Sequence, residues 1–374
     1  RYRDYVVSAF NRDKPFDRFV IEQLAGDLLP FEGEAQQHDQ LIATGFLSIG
    51  PKVLAETDQA KMRMDIIDEQ LDTMGRAFLG LTLGCARCHD HKFDPIATAD
   101  YYGLAGIFKS TLTMRKYIKV AEWHEHLLPS AEASELKAKF DAAVAAKKTG
   151  IASFTAEADK QAKKKLGEKP GARVPEKLET LYPAETKAKL KALRDELAAL
   201  EKTGPNLPAA MGVTEDKVKD IAIHVRGNPL ELGEVVARRT PLVLRGPRPL
   251  RFSKTESGRR ELAGWLVDPR HPLTARVFVN RVWRWHFGRG LVRTTDNFGL
   301  LGEDPSHPQL LDWLAHRFVA DGWSVKTLHR LIVTSSTYQQ VTSAGERTLG
   351  RDPENHLYSR GRVRRLEAET VRDA

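Results

Sequence analysis

Residues from about 130 to 204 can form little besides helix, and that divides the chain. Ala, Lys and Glu dominate the stretch, and these residues lose little freedom on entering a helix. Leu190, Leu193, Leu197 and Leu200 recur at three and four, the seam spacing of a coiled coil. Leu136, Phe140 and Val144 give a comparable stripe earlier, and Gly167-Glu168-Lys169-Pro170-Gly171 lies between the two as a turn. The pattern predicts an antiparallel helical hairpin over 128–206, an arm that either binds a partner or is simply solvated.

The block before the arm, 1–127, reads as helical. Phe16, Phe19, Val20 and Leu24 follow helical spacing after Pro15, and Gly26-Asp27 and Leu29-Pro30 end that helix. Ile67, Leu71, Met74 and Phe78 predict an amphipathic helix running toward Leu83-Gly84. Phe93-Asp94-Pro95 turns the chain before a short helix from Asp100 through Phe108. After the arm, 207–250 takes on strand composition. Ile221-Ala222-Ile223-His224-Val225 and Pro241-Leu242-Val243-Leu244 predict two short strands, with a turn at Arg226-Gly227-Asn228-Pro229. The block 251–374 is helical again, with apolar faces at Leu262, Trp265 and Leu266, then at Ala275, Val277, Phe278 and Val282, then at Leu310, Leu311, Leu314, Phe318 and Val319. Ser306 is placed to cap the last of these. The expected fold class is mainly α: a multi-domain helical protein with a coiled-coil hairpin and a small β element.

A net charge of +8 is spread among acids, apart from the Lys160, Lys163, Lys164, Lys165 cluster and an arginine-rich C-terminal third. Neither region interleaves bases with aromatics, so no nucleic-acid partner is expected. No run of eighteen apolar residues occurs, so no transmembrane segment is expected in this chain. The chain opens on Arg1-Tyr2-Arg3 and stops at Arg372-Asp373-Ala374 inside a charged helical pattern, so both ends look cut and a secretion signal is expected upstream.

The only two cysteines stand in Cys85-Ala86-Arg87-Cys88-His89. Two thiols at this spacing can add across the two vinyl groups of one porphyrin, and the histidine that follows can ligate its iron, so the segment reads as an attachment site for haem c. A dithiol redox pair would have no use for His89, and a disulfide between Cys85 and Cys88 would close a short, strained ring. Zinc or iron held by Cys85, Cys88, His91 and Asp94 is the alternative, although structural zinc usually draws on two separated ligand pairs. With haem attached, Met114 is a candidate sixth ligand, and Met62, Met64 and Met74 read as core filler. His91 is too near in sequence to reach the opposite haem face and could orient a propionate or hold another metal. Asp90, His91 and Asp94 read equally as a shell around the motif or as turn chemistry. In the C-terminal block, Asn280, Arg281, Trp283 and His286, with Asp296, form a polar and aromatic group suited to a sugar or carboxylate pocket, or to an ordinary amphipathic helix. Ser335-Ser336-Thr337 has no nucleophile-elbow context.

The run from Gly80-Leu81-Thr82-Leu83-Gly84 through the motif to Asp90-His91-Lys92-Phe93-Asp94-Pro95-Ile96 resembles the signature of a planctomycete cytochrome family. The likeness continues in Asp100-Tyr101-Tyr102-Gly103-Leu104-Ala105-Gly106-Ile107-Phe108, Arg226-Gly227-Asn228-Pro229, Pro272-Leu273-Thr274-Ala275-Arg276-Val277, Val279-Asn280-Arg281-Val282-Trp283, His286-Phe287-Gly288-Arg289-Gly290-Leu291-Val292 and Leu331-Ile332-Val333-Thr334-Ser335-Ser336-Thr337-Tyr338. The resemblance implies a large secreted protein with a cytochrome-associated domain, a C-terminal domain of uncharacterised function, and a further cytochrome domain ahead of residue 1. It also implies sulfatase-like and polysaccharide-handling neighbours. On these grounds the expected role is an extracytoplasmic electron-transfer or redox step in the catabolism of complex substrates, with a redox protein or the missing cytochrome domain as partner. A carbohydrate-binding or scaffold module remains the other expectation.

Overall fold

Proline and glycine punctuation sets many of the helix ends in the computed structural model, which describes all residues except 54–55, 118–120, 168–176, 247–248, 344, 364 and 374. The fold is mainly α, as the sequence predicts. The first block holds α1 (Tyr2–Asn11), α2 (Phe16–Ala25), α3 (Glu34–Ala43), α4 (Gln59–Met74) and α5 (Thr98–Lys109). Pro15 stands at the head of α2. Asp58 caps α4, accepting from the backbone N–H groups of Ala60 (2.9 Å) and Lys61 (3.0 Å). Ile67, Leu71, Met74 and Phe78 are all buried, which is the face their spacing predicts. The helical path loosens to a π turn at Gly75–Leu79 and stops there, short of Leu83-Gly84. Gly80 ends it with φ +62°, and a Cβ there would lie 2.9 Å from the Phe298 ring, so only glycine suits the position.

The chain forms two compact units, one of residues 1–126 with 210–374 and one of residues 127–209. The second is the arm, with α6 (Ala131–Gly167) and α7 (Ala184–Lys202). Leu190 is fully buried and packs with Ala158, Ala162 and Tyr182. Lys147–Glu196 (2.7 Å) and Lys148–Glu201 (2.9 Å) pair across the two helices. Leu136, placed in the seam by its spacing, is exposed instead, and Ala133 is the buried residue of that turn. The expected turn at 167–171 lies, from residue 168 on, outside the described residues.

In the larger unit, α8 (Arg259–Leu266), α9 (Thr274–Phe287), α10 (Pro308–Ala320), α11 (Val325–Val333), α12 (Glu346–Arg351) and α13 (Ala368–Asp373) follow the arm. Phe16 of α2 stacks on Phe278 of α9 with centroids 3.8 Å apart, and Phe318 and Trp323 close round them. One core therefore draws on both sides of the arm. α10 starts after His307 without a side-chain cap, and Ser306 bonds the His307 ring instead of capping the helix.

Strands come in short two-stranded pairs. Ile221–His224 pairs antiparallel with Leu232–Val236, in the register Ile221↔Val236 and His224↔Leu232. The second strand expected at 241–244 is a 3-10 turn, Leu242–Leu244. Pro241 has no N–H to donate to a ladder, and Leu242 and Val243 are exposed there. Arg226 (φ +54°) and Gly227 (φ +77°) form the loop between the true strands. Among the described residues no helix is long and apolar enough to cross a membrane.

Candidate functional site

The cysteine motif lies on a 3-10 turn, Gly84–Arg87, between the end of the π turn and α5. Cys85 lies on that turn and Cys88 follows it as the capping residue. Ala86 is wholly buried and anchors the turn, while Cys85 and Cys88 stay exposed as free thiols. Arg87 holds the turn to α4 through Asp65 (2.9 Å) and Asp68 (3.6 Å). Its carbonyl oxygen accepts from the Tyr102 hydroxyl of α5 at 3.0 Å. Burial pushes Tyr102 up to about 12 and raises Asp68, so Tyr102 keeps its proton and the Asp68 carboxyl accepts a hydrogen bond from the Tyr101 hydroxyl at 2.7 Å.

His89 is exposed, and its Nδ1 lies 2.7 Å from the Asp90 carbonyl oxygen. A carbonyl only accepts, so Nδ1 carries the hydrogen and Nε2 presents a lone pair. His91 is arranged the other way. Its buried ring accepts at Nδ1 from the backbone N–H of Asp94 (2.8 Å), which folds the 91–96 loop on itself. Asp94 is buried and accepts at Oδ1 from the Leu300 N–H at 2.7 Å. Gly299 lies so close to that carboxylate that any side chain would collide with it. Asp90 accepts from Thr98 N at 2.7 Å and so caps α5. The polar cluster around the motif is thus occupied with turn and cap bonds.

Among the described residues no three His, Cys, Asp or Glu side chains converge as a bare ion requires. The zinc or iron alternative built on Cys85, Cys88, His91 and Asp94 therefore has no cage. Met114 is wholly buried with Met62, Ile66 and Tyr117, in a cluster containing no motif residue.

The residues present fit a covalently held haem at its donors: two exposed thiols on one turn and an imidazole whose Nε2 is bare. A depression of about 450 Å³ beside Cys85 is lined by Pro51, Thr82 and the α4 carboxylates Asp65, Asp68, Glu69 and Asp72, with Arg76 among them. On the other side, Gly227 closes over Cys88, where a Cβ would stand 2.6 Å from Sγ. His224, at the end of its strand, is buried beneath this loop and lies 5.4 Å from the Tyr102 ring. Its Nδ1 has no hydrogen-bond partner, and burial, aided by Arg87, lowers its affinity for a proton. The only signal for His224 in the sequence was an imidazole ending an apolar strand, which the fold makes a neighbour of the motif although 136 residues separate it from Cys88.

The four C-terminal candidates do not share a pocket. Asn280 is wholly buried, and its amide bonds the N–H and C=O of Val292, both at 2.9 Å. Trp283 is buried and stacked on Phe287, with centroids 4.1 Å apart. Arg281 donates to the carbonyls of Arg76 (2.6 Å) and Ala77, at the open end of the π turn, and to Asp296 (3.0 Å). His286 pairs with His329 of α11 at 2.6 Å.

Residues 1–113 match the family model PSCyt2, described as a protein of unknown function (DUF1549). Residues 258–374 match PSD1, likewise described as a protein of unknown function (DUF1553). Both families are typical of planctomycete proteins. No curated protein and no solved structure matches the chain.

Proposed function

We propose that this pairing of planctomycete domains carries a c-type haem on Cys85 and Cys88, with His89 as its axial ligand, and serves an electron-transfer or redox step outside the cytoplasm. The observation that carries the reading is the bare Nε2 of His89 beside two exposed free thiols on one turn. Bound haem supplies a one-electron couple. The protein's part is to hold and tune it. The Asp90 carbonyl fixes the His89 tautomer and strengthens its donor nitrogen. The ion pair of Arg87 with Asp65 holds the turn that bears both thiols. Electrons would pass to a redox protein or to a cytochrome domain ahead of residue 1, in the breakdown of complex substrates such as polysaccharides.

The test is expression of the full chain with a c-type maturation system. The expected product has a Soret band that survives acid-acetone extraction and is lost in Cys85→Ala/Cys88→Ala. In His89→Ala the covalent band should persist with an altered ligand-field spectrum. A colourless protein containing one equivalent of zinc would overturn the reading in favour of a non-haem metal. A colourless, metal-free protein that binds glycans regardless of Cys85→Ala would leave a carbohydrate-binding or scaffold module.

A further inference from the structure

Past the end of α9 the chain makes a rigid turn. Gly288 ends the helix with φ +74°. A Cβ at Gly290 would collide with the Val292 carbonyl and lie 2.8 Å from Nδ2 of Asn280, so the chain passes there only as glycine. Asn280 then clamps Val292 from inside the core. Thr294 Oγ1 donates to the Asn297 carbonyl (2.9 Å) and accepts from Glu303 N (3.0 Å). These bonds hold the wall from 288 to 297 in shape.

That wall lines an open surface depression of about 490 Å³, within the size range of small-molecule sites. Arg284, Arg289 and Arg293 line it, together with Thr294, Thr295 and Asn297. Arg284 is oriented by a bond to Thr295 Oγ1 at 2.9 Å. Arg293 lies 3.4 Å from Glu303 and Arg289 lies 3.6 Å from Glu354, both longer than the roughly 2.7–2.9 Å of a charge-assisted hydrogen bond. The one carboxylate in the lining, Asp296, is engaged by Arg281 at 3.0 Å. The depression therefore carries three guanidiniums, of which Arg289 and Arg293 are each loosely paired with a glutamate and Arg289 also bonds His356 Nδ1 at 3.0 Å. Planar guanidinium forks match the paired oxygens of an oxyanion.

We infer that this concavity is a binding site for a small anionic ligand, which presents a carboxylate, sulfate or phosphate group to Arg284, Arg289 and Arg293. Asn297 stands in the same lining to meet its neutral hydroxyls. Nothing in this site uses the cysteine motif, so it stands whether or not haem is attached.

Titration calorimetry of the full chain tests it, with glucuronate, glucose 6-sulfate, glucose 6-phosphate and neutral glucose as probes at low ionic strength. At least one anion is expected to bind with one-to-one stoichiometry, and glucose is not. The strongest of the three identifies the oxyanion. Arg284→Gln and Arg293→Gln should each weaken binding by about tenfold or more, the loss of one charge-assisted pair. Arg317→Gln, an exposed guanidinium on α10 paired with Asp321, should leave binding unchanged. Amide chemical-shift changes confined to 288–297 provide a readout that does not depend on the variants folding. Absence of binding by all three anions to folded protein would sink the proposal. So would an equal loss in Arg317→Gln, since that would mark diffuse surface charge.

Discussion

At His271 the ring nitrogen Nδ1 accepts from Leu273 N (3.2 Å), Thr274 N (3.3 Å) and the Thr274 hydroxyl (3.1 Å), which caps the start of α9 with a neutral imidazole. Burial lowers its pKa to about 4. Protonation would remove the acceptor and set a cation against the positive end of a helix. Unfolded histidine titrates near 6.5, so the stability this group contributes is complete above that pH and is lost as pH falls from about 6.5 toward 4. The urea midpoint should fall between pH 7 and pH 5, by about 2 kcal/mol for this residue. His271→Asn, which keeps an acceptor, should flatten the slope, leaving the part due to His124, also lowered to about 4 by burial, and to His126, His224 and His329, which burial lowers as well. A profile unchanged by that variant would show that the ring titrates freely in the folded state. His89, His91 and His271 are equivalent letters in a sequence, and only the partner of Nδ1 separates a prospective ligand from a structural cap. Asp94 carries the same lesson: it stood among candidate metal ligands, yet it holds Leu300. Asp94→Ala should cost about 1–3 kcal/mol in denaturant unfolding and speed amide exchange at 299–302.

Elements with a strong period were legible and those set by contact were not. The faces of α4 and α10 could be read because one side must be buried, and the buried residues repeat with the helix. The premature stop at Gly80 and the strand Leu232–Val236 could not, since the first answers to Phe298 and the second to Ile221–His224. The hairpin loop over Cys88 gives a test at this scale. Gly227→Ala forces a side chain onto φ +77° and onto the Cys88 sulfur, and should cost about 1–3 kcal/mol. In Cys88→Ala/Gly227→Ala the collision is gone and only the backbone strain remains. A double-mutant cycle from urea melts should therefore show favourable coupling, and strict additivity would mean that loop and cysteine do not touch.

For the whole molecule, Arg259 joins what the arm separates. It is wholly buried, forks onto Asp27 at 2.6 and 2.8 Å, and reaches Glu215 at 2.8 Å. Asp27→Ala strips the bidentate partner and leaves the buried cation with Glu215 alone, and should cost up to about 3–5 kcal/mol, read as a lower urea midpoint for residues on both sides of the arm together. If only the residues near α2 lose stability, the two blocks do not share one cooperative core. What the chain determined by itself is local: the helices, the arm with its leucine seam, and the spacing of two thiols and an imidazole. Each follows from covalent geometry and from a periodic need to hide apolar surface, which neighbouring residues settle among themselves. Which aspartate is already bonded and which histidine lies beside the motif were decided only when the 288–303 loop, the 221–236 strand pair and the cysteine turn came together. Those contacts join positions up to about two hundred residues apart, such as Asp94 and Leu300, and no local pattern carries them.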